Sequence, residues 1–127
     1  MIHTFDGIEF HYERYGNSKG KTIIYLHGWG QNIEMMQPVA NPFSEDFDII
    51  IVDLPGHGKS PEPTKVLEVP DFVECIKNLV EKLKIKNPIL VGHSFGGKVA
   101  LLYASKYEVE KLIVFGSPFK KEIKKES

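Results

Sequence analysis

Continuous runs of apolar residues, each followed by a glycine-rich segment, are the clearest pattern along the chain. They lie in residues 21–30 (KTIIYLHGWG), 46–58 (DFDIIIVDLPGHG) and 87–92 (NPILVG). Uninterrupted apolar runs of this length are typical of strands that are buried on both faces of a parallel sheet. A fourth run, residues 110–118 (EKLIVFGSP), predicts one more strand.

Residues 2–16 follow a different pattern, in which apolar and polar side chains alternate on both sides of Asp6-Gly7. Alternation around an Asp-Gly pair predicts a β-hairpin with one solvated face. Residues 61–69 (PEPTKVLEV) carry no periodic pattern and predict a loop.

Three segments of the sequence predict helices. Residues 32–46 predict only a poor helix, because Pro38 and Pro42 interrupt it. Residues 70–84 predict an amphipathic helix. Residues 95–106 predict a helix that follows the strand at residues 87–92. The first of these two places four apolar side chains on one face: Phe72, Ile76, Leu79 and Leu83.

Strands that alternate with helices predict right-handed crossovers and a mostly parallel sheet with helices on both faces. The expected fold class is α/β, a three-layer sandwich, with residues 1–127 as a single domain. Spacing alone does not determine the order of the strands. Ligands of such sheets sit beyond the carboxyl ends of the strands. Three glycine-containing segments are expected there: residues 27–30, 56–58 and 92–97.

Composition and charge exclude several classes of function. The 127 residues are 42% hydrophobic and 26% charged, with a formal net charge of −1. A balanced charge, without basic residues interleaved with aromatics, argues against a nucleic-acid partner. No apolar run approaches the roughly 18 residues of a membrane span. The N-terminus lacks the basic flank and apolar core of a signal peptide.

The single cysteine, Cys75, excludes an internal disulfide and favours a reducing, cytoplasmic location. Its place on a helix face favours a core thiol over a reactive one. The five histidines and Cys75 show no spacing typical of metal ligands. No metal and no cofactor are therefore expected.

The segment Gly92-His93-Ser94-Phe95-Gly96 matches the pattern G-x-S-x-G between a predicted strand and a predicted helix. A serine on so sharp a turn takes strained backbone angles, and side chains two positions away would collide with the neighbouring strand and helix. We call residues 92–97 the elbow. The pattern predicts Ser94 as a catalytic nucleophile, rather than as part of a purely structural turn.

His27-Gly28-Trp29-Gly30 follows an earlier strand. Acyl transfer creates an oxyanion that needs two hydrogen-bond donors, typically the N–H after the nucleophile and one from such a loop. Those donors would be the amides of Phe95 and Trp29. The alternative is a glycine turn with a buried histidine. In either case His27 is expected to brace the loop through hydrogen bonds rather than to act as a base.

Residues 53–60 (DLPGHGKS) end in Gly-Lys-Ser, which suggests nucleotide binding. A phosphate-binding loop needs a glycine at the position of Asp53 and a helix immediately after the motif. The dinucleotide pattern needs a glycine at the position of Pro61. None of these three conditions holds, so the segment is interpreted as a tight turn that bounds the site.

Together the HGxG loop, the D-x-P-G-x-G-x-S turn and the GxSxGG elbow resemble the α/β-hydrolase family. The resemblance implies that residues 2–16 form the outer antiparallel strands and that residues 110–118 form the sixth strand of eight. It implies Ser94 as nucleophile and the amides of Trp29 and Phe95 as the oxyanion hole. The supporting positions are His27, Gly28, Gly30, Gly92 and Gly96.

The chain departs from the family pattern after the elbow. The family places an acid and then a histidine after the serine, whereas no histidine follows His93. The acids that follow Ser94 are Glu108, Glu110, Glu122 and Glu126. Successive side chains diverge, so His93 is not expected to reach Ser94. His27 and His57 lie at the correct edge of the sheet and stay open as substitutes.

The resemblance implies a serine hydrolase that acts on carboxylic esters of small acyl substrates. The acid and the histidine of its triad, the last two strands and any lid are absent from this chain. A non-catalytic binding or assembly module that retains the fold is the alternative. The isolated chain is expected to be nearly inactive. Residues 111–118 would form an exposed sheet edge, which predicts a homodimer or larger assembly through that strand.

Overall fold

The structure, a computed structural model, describes residues 1–116. Their strands are β1 (Ile2–Phe5), β2 (Ile8–Gly16), β3 (Thr22–Leu26), β4 (Asp48–Asp53), β5 (Ile89–His93) and β6 (Lys111–Phe115). Their helices are α1 (Ile33–Ala40), α2 (Val69–Lys82) and α3 (Phe95–Lys106), with a 3-10 helix at Asn41–Phe43. All six strands belong to one sheet, in the order β1-β2-β4-β3-β5-β6.

The predicted N-terminal hairpin is confirmed. β1 and β2 pair antiparallel, and Phe5 lies opposite Ile8 next to the turn. Asp6 and Gly7 take φ values of 52° and 76°. Two central residues with positive φ fit the tight turn whose twist matches that of the strands it joins. β2 pairs antiparallel with β4, so the hairpin forms the outer antiparallel part of the sheet.

The remaining strands are parallel, as the continuous apolar runs predict. β3 pairs in parallel with β4 on one side and with β5 on the other, and β5 pairs in parallel with β6. Ile24 of β3 lies beside Ile50 and Leu90, and none of the three side chains is exposed. Buried neighbours on both sides explain why these segments contain no alternating polar positions.

The two faces of the sheet carry different helices. α2 and α3 pack on one face, where Leu26, Val52 and Leu90 share a core with Ile76 and Val99. The other face carries α1 over a second core. That core contains Ile23, Tyr25, Ile49, Ile51, Ile89 and Val91 from the strands, with Ile33, Met36 and Ala40 from the helix. The three-layer α/β architecture is therefore confirmed.

The predicted bounds of α2 and α3 agree with the structure to within two residues, whereas the interpretation of residues 32–46 needs correction. α1 runs through Pro38 without interruption. Proline removes the hydrogen bond to the carbonyl four residues earlier, that of Glu34. Both residues are exposed, so water can reach the freed carbonyl, and the buried face of α1 keeps its packing. Pro42 instead lies in the first turn of the 3-10 helix.

β6 is the edge of the sheet on the side of α3. Its side chains alternate between the two faces. Leu112 packs against the core beneath α2 and α3, whereas Ile113 and Phe115 are 45% and 38% exposed on the other face. The predicted strand is confirmed over Lys111–Phe115. Ser117, Pro118 and the charged segment 119–127 lie outside the described residues.

Candidate active site

Ser94 lies between the end of β5 and the first residue of α3, with φ 54° and ψ −115°. A positive φ is uncommon for residues other than glycine and marks a strained turn. The turn is held from two sides. The Ser94 N–H donates to the Phe115 carbonyl (3.0 Å), and the Ser94 carbonyl accepts from the Gly97 N–H (2.9 Å). The strand-turn-helix context that the motif predicts is therefore present.

Three glycines of the elbow lie where a β-carbon would meet other atoms. At Gly92 a β-carbon would be 2.5 Å from the Gly96 carbonyl oxygen, and at Gly97 it would be 2.5 Å from Val114 Cγ1. At Gly96 it would overlap the carbonyl oxygen of Leu26, at the end of β3. These approaches confirm the steric reason for the glycines, because a larger residue would push α3 away from the sheet.

Loop 27–31 follows β3 and lies against the elbow. The Gln31 N–H donates to the Gly28 carbonyl (3.0 Å), which closes a tight turn, and Gly30 takes a φ of 80° that favours glycine. Gly28 lies at the contact, since a β-carbon there would be 3.2 Å from Ser94 Cβ. The fold therefore brings the HGxG loop and the G-x-S-x-G serine together.

Trp29 and Phe95, the two residues whose amides are predicted oxyanion donors, are neighbours. Their ring centroids are 5.2 Å apart and their planes are nearly perpendicular. No hydrogen bond within residues 1–116 uses either backbone N–H. Phe95 is the first residue of α3, where N–H groups have no intrahelical acceptor and the helix dipole favours negative charge.

His27 braces the loop, as expected. Its side chain is fully buried. Its Nε2 accepts from the Leu54 N–H (3.0 Å), and its Nδ1 lies 2.7 Å from the Gly28 carbonyl oxygen. An amide can only donate, so Nε2 is unprotonated and Nδ1 carries the proton. Burial lowers the pKa of His27, which favours the same neutral form. Both ring nitrogens are engaged, so His27 is not placed to act as a base.

The other two histidines at this edge also point elsewhere. His57 Nδ1 lies 3.2 Å from the Pro55 carbonyl oxygen, and its ring packs edge-to-face on Trp29 at 4.7 Å. His93 Nδ1 lies 3.0 Å from Gln31 Oε1, and its ring packs on Phe115 at 4.9 Å. Among the described residues, no histidine is hydrogen-bonded to the Ser94 hydroxyl.

Asp53, at the end of β4, organises the turn that follows it. Its carboxylate accepts from the Ile33 N–H (2.8 Å) and from the Lys59 N–H (3.1 Å). It also lies 3.2 Å from His11 Nδ1. The carboxylate therefore joins α1, β2 and the 53–60 turn behind the site. This confirms a tight turn with a structural role, although the sequence did not single out Asp53 for it.

Ser60 completes that turn. Its hydroxyl donates to the Asp53 carbonyl (2.5 Å) and accepts from the His11 N–H (2.8 Å). Asp53 and Ser60 are the first and last positions of the motif D-x-P-G-x-G-x-S, so the motif alone could have indicated that the two residues act together in the turn. Gln31, whose side chain meets Gly28 and His93, belongs to none of the motifs and gave no such signal.

A cavity of about 680 Å³ opens at this edge of the sheet, between loop 27–31 and the loop that precedes α2. Trp29 and Phe72 line it, and the Phe95 ring packs edge-to-face on both, at 5.2 Å. The opposite part of the lining is polar, with His57 and Glu62. Ser94 is not among the lining residues, whereas its neighbour Phe95 packs against both aromatic residues that are.

Three further features bear on the sequence-based expectations. Cys75 is buried, and burial raises the pKa of its thiol to about 12, which confirms a core thiol. Within residues 1–116, no group of three or more His, Cys, Asp or Glu side chains is arranged to hold a metal ion. None of the helices in that part of the chain has the length and apolar character needed to cross a bilayer.

Comparison with known families places the chain. The model of the alpha/beta hydrolase fold matches residues 21–120. The matched segment contains loop 27–31, the 53–60 turn and the elbow. The chain therefore belongs to the α/β-hydrolase fold family.

Individual relatives agree with this assignment. The chain is 38% identical over 104 residues to a Drosophila melanogaster protein named "Probable serine hydrolase", covering 78% of this chain and 31% of the relative. It is 35% identical over 82 residues to the pimeloyl-[acyl-carrier protein] methyl ester esterase of Pseudoalteromonas atlantica, covering 64% and 30%. The solved structure of an esterase from Exiguobacterium antarcticum superposes with a TM-score of 0.83 at 32% identity, covering 91% of this chain and 44% of that one.

The match is to one part of these proteins. The chain spans about a third of the length of the curated relatives it matches, between 28% and 38%. Of the solved structures it spans between 38% and 49%.

Proposed function

We propose that this chain forms part of a serine hydrolase that cleaves carboxylic esters of small acyl substrates, with Ser94 as the nucleophile. One observation carries the proposal: Ser94 occupies a strained, positive-φ turn at the start of α3. The backbone amide of Phe95, which follows it, and that of Trp29, in the loop that contacts it through Gly28, have no acceptor within residues 1–116. Relatives named as a serine hydrolase and as a methyl ester esterase support the class of reaction.

In this mechanism a base removes the hydroxyl proton while Ser94 Oγ attacks the carbonyl carbon of the ester. The carbonyl oxygen becomes an oxyanion, which accepts hydrogen bonds from the Trp29 and Phe95 N–H groups. Collapse of the tetrahedral intermediate breaks the C–O bond, and the alcohol leaves with the proton held by the base. Water then attacks the acyl-serine by the same steps and releases the carboxylic acid.

We propose that the base and its acid partner are supplied from outside these 127 residues, by a longer parent chain or by another chain. Three histidines near the site are engaged with other groups, and no histidine follows His93. The isolated chain is then nearly inactive. A non-catalytic binding or assembly module is the alternative. In such a module Ser94 need not be more reactive than the other serines of the chain.

A fluorophosphonate probe tests the proposal, with the labelled serines identified by mass spectrometry. Labelling should be slow and confined to Ser94, because the oxyanion hole alone retains roughly 10³–10⁴ of rate over water. It should disappear in Ser94→Ala and in the urea-unfolded chain. Label spread over Ser60 and Ser105, or equal labelling of the folded and unfolded chains, would contradict the nucleophile assignment.

We also propose that the chain assembles as a homodimer through the β6 edge. Among residues 1–116 no strand pairs with the outer edge of β6, whose backbone N–H and C=O groups can therefore meet a second β6. Beside it, a groove of about 520 Å³ runs over the apolar face of β3, β5 and β6. Ile113 and Phe115 lie in this groove and are exposed. Two-fold pairing would bury both the edge of β6 and the apolar groove.

The single-domain organisation of residues 1–127 and the cytoplasmic location stay predictions.

A further inference from the structure

Gln31 belongs to no motif, yet its side chain joins loop 27–31 to the elbow. Its Oε1 accepts from the Gly28 N–H (2.8 Å) and lies 3.0 Å from His93 Nδ1. The Gly28 amide can only donate, so the atom that faces it is the carboxamide oxygen. His93 must then carry a proton on Nδ1 in order to donate to the same oxygen.

The backbone of Gln31 closes the same turn from the other side. Its N–H donates to the Gly28 carbonyl (3.0 Å), which also accepts from His27 Nδ1 (2.7 Å). Both backbone polar groups of Gly28 are therefore held. The next amide along the chain, that of Trp29, has no acceptor within residues 1–116. Its direction is set by the turn that Gln31 closes.

The surroundings of Gly28 leave this arrangement little freedom. A β-carbon on Gly28 would be 2.9 Å from Gln31 Oε1, 3.1 Å from His93 Nδ1 and 3.2 Å from Ser94 Cβ. Within residues 1–116, the bond between Gln31 and His93 is the only side-chain hydrogen bond that joins loop 27–31 to the elbow. Because Ser94 follows His93 directly, this bond relates the loop to the serine.

We propose that Gln31 is a positioning residue, which holds the Trp29 amide in place beside Ser94. It acts through its hydrogen bonds to Gly28 and His93 and does not itself touch the substrate. We call these three residues the clamp. The clamp itself is inferred from the hydrogen bonds alone. Its role in orienting an oxyanion donor rests on the proposed function.

Amide hydrogen exchange and ¹⁵N NMR of the 127-residue chain test the clamp without any need for activity. In the wild type we expect a protected Gly28 amide and a His93 ring that carries a proton on Nδ1. Gln31→Leu should accelerate Gly28 exchange about fivefold, as expected for the loss of one hydrogen bond, and should populate the other His93 tautomer. Gln31→Glu keeps an acceptor oxygen and should retain the protection of Gly28.

Gln37→Leu is the matched control. Gln37 lies on α1, and its side chain bonds to Glu13 (3.3 Å) rather than to the loop. This substitution should change neither the Gly28 exchange rate nor the His93 tautomer. If Gln31→Leu also left both unchanged, the clamp would be overturned.

The rate at which a fluorophosphonate modifies Ser94 separates the positioning role from the proposed function. Gln31→Leu should lower this rate roughly tenfold, less than the complete loss of an oxyanion donor, and Gln31→Glu should restore most of it. Equal rates in the wild type and Gln31→Leu, with Ser94→Ala unlabelled, would overturn the positioning role alone. Equal labelling of Ser94→Ala and the wild type would overturn the proposed function, while the NMR measurements would still decide the clamp.

Discussion

At the scale of single residues, His27 illustrates how a buried polar group can hold a loop in place through its two ring nitrogens. Its neutral ring donates from Nδ1 to the Gly28 carbonyl and accepts at Nε2 from the Leu54 N–H. A second proton would place two donors face to face at Nε2 and break the link between β3 and the 53–60 turn. Burial disfavours the charged ring as well, so the pKa of His27 lies below its ordinary value of 6.5.

This arrangement predicts a pH dependence of stability. As the pH falls through about 6.5, the unfolded chain takes up a proton at His27 that the folded chain does not, so the free energy of unfolding decreases. The decrease ends at the lower pKa of the folded state. His27→Asn should be less stable at neutral pH and should show a shallower pH dependence.

Urea unfolding between about pH 5 and 8, followed by circular dichroism, measures this difference in slope. The difference between wild type and variant isolates His27 from the other titrating groups. The same pH dependence in both chains would show that His27 is not held neutral by its surroundings.

At the scale of elements, the packing of α3 on the sheet depends on backbone contacts that only glycine allows. Gly96 lies against the carbonyl oxygens of Leu26 and His27 at the end of β3, and Gly92 lies against α3 itself. Neither partner is the flexible end of a side chain, so neither can move aside without shifting a strand or a helix.

Gly96→Ala should therefore destabilise the chain by about 3 kcal/mol, because the added methyl group forces α3 away from β3. Gly30→Ala is the comparison, since a β-carbon at Gly30 meets nothing within 4 Å and only its φ of 80° is unfavourable. That substitution should cost about 1–2 kcal/mol. The urea midpoints of the two variants show which substitution lowers the stability more. A Gly96→Ala chain as stable as the wild type would contradict the predicted larger loss at Gly96.

The elements that could be predicted from the sequence are those whose signals are local. The continuous apolar runs predict the parallel strands, and Asp6-Gly7 predicts the hairpin, because burial and turn geometry act within a few residues. The elbow is predicted for the same reason, because its glycines are required by close contacts within one strand-turn-helix unit. The sequence underpredicts α1, because a proline such as Pro38 normally interrupts a helix, whereas tertiary packing of the buried face of α1 outweighs one lost hydrogen bond.

Other parts of the site depend on contacts between distant segments and could not be predicted in this way. Gln31 meets His93 across 62 positions of sequence, and Asp53 meets His11 across 42. Nothing in the residues around Gln31 indicates that the end of β5 will lie beside it. The order of the strands, which creates both contacts, likewise arises only when the sheet is assembled.

At the scale of the whole molecule, the two faces of the sheet are covered unequally. Within residues 1–116, α2 and α3 cover one face, whereas α1 does not extend over the part of the other face formed by β5 and β6. Exposed apolar surface of this kind marks an interaction site in proteins that stay in solution. The position of each β6 side chain also determines which substitution can test the proposed dimer. Val114 packs over Gly97, so a charge there would disturb α3 rather than the interface.

Ile113→Lys is the suitable change, because the Ile113 side chain is 45% exposed and a lysine can extend into solvent in the monomer. We expect the wild type to sediment as a dimer at tens of micromolar and Ile113→Lys to sediment as a monomer. Leu101→Lys, at an exposed position on α3, is the matched control and should remain dimeric. A wild-type chain that sediments as a monomer would contradict the assembly.

The hydrogen bond from the Ser94 N–H to the Phe115 carbonyl has a consequence for the minimal length of the unit. Every motif residue lies at or before Gly97. The backbone of Ser94 is nevertheless held by β6, which ends at Phe115, 18 positions after Gly97. A chain that stopped at Glu110 would contain the complete motif and lack the acceptor that fixes the serine. The serine turn is thus held on both sides only in a chain that extends to Phe115, although its motif occupies six residues.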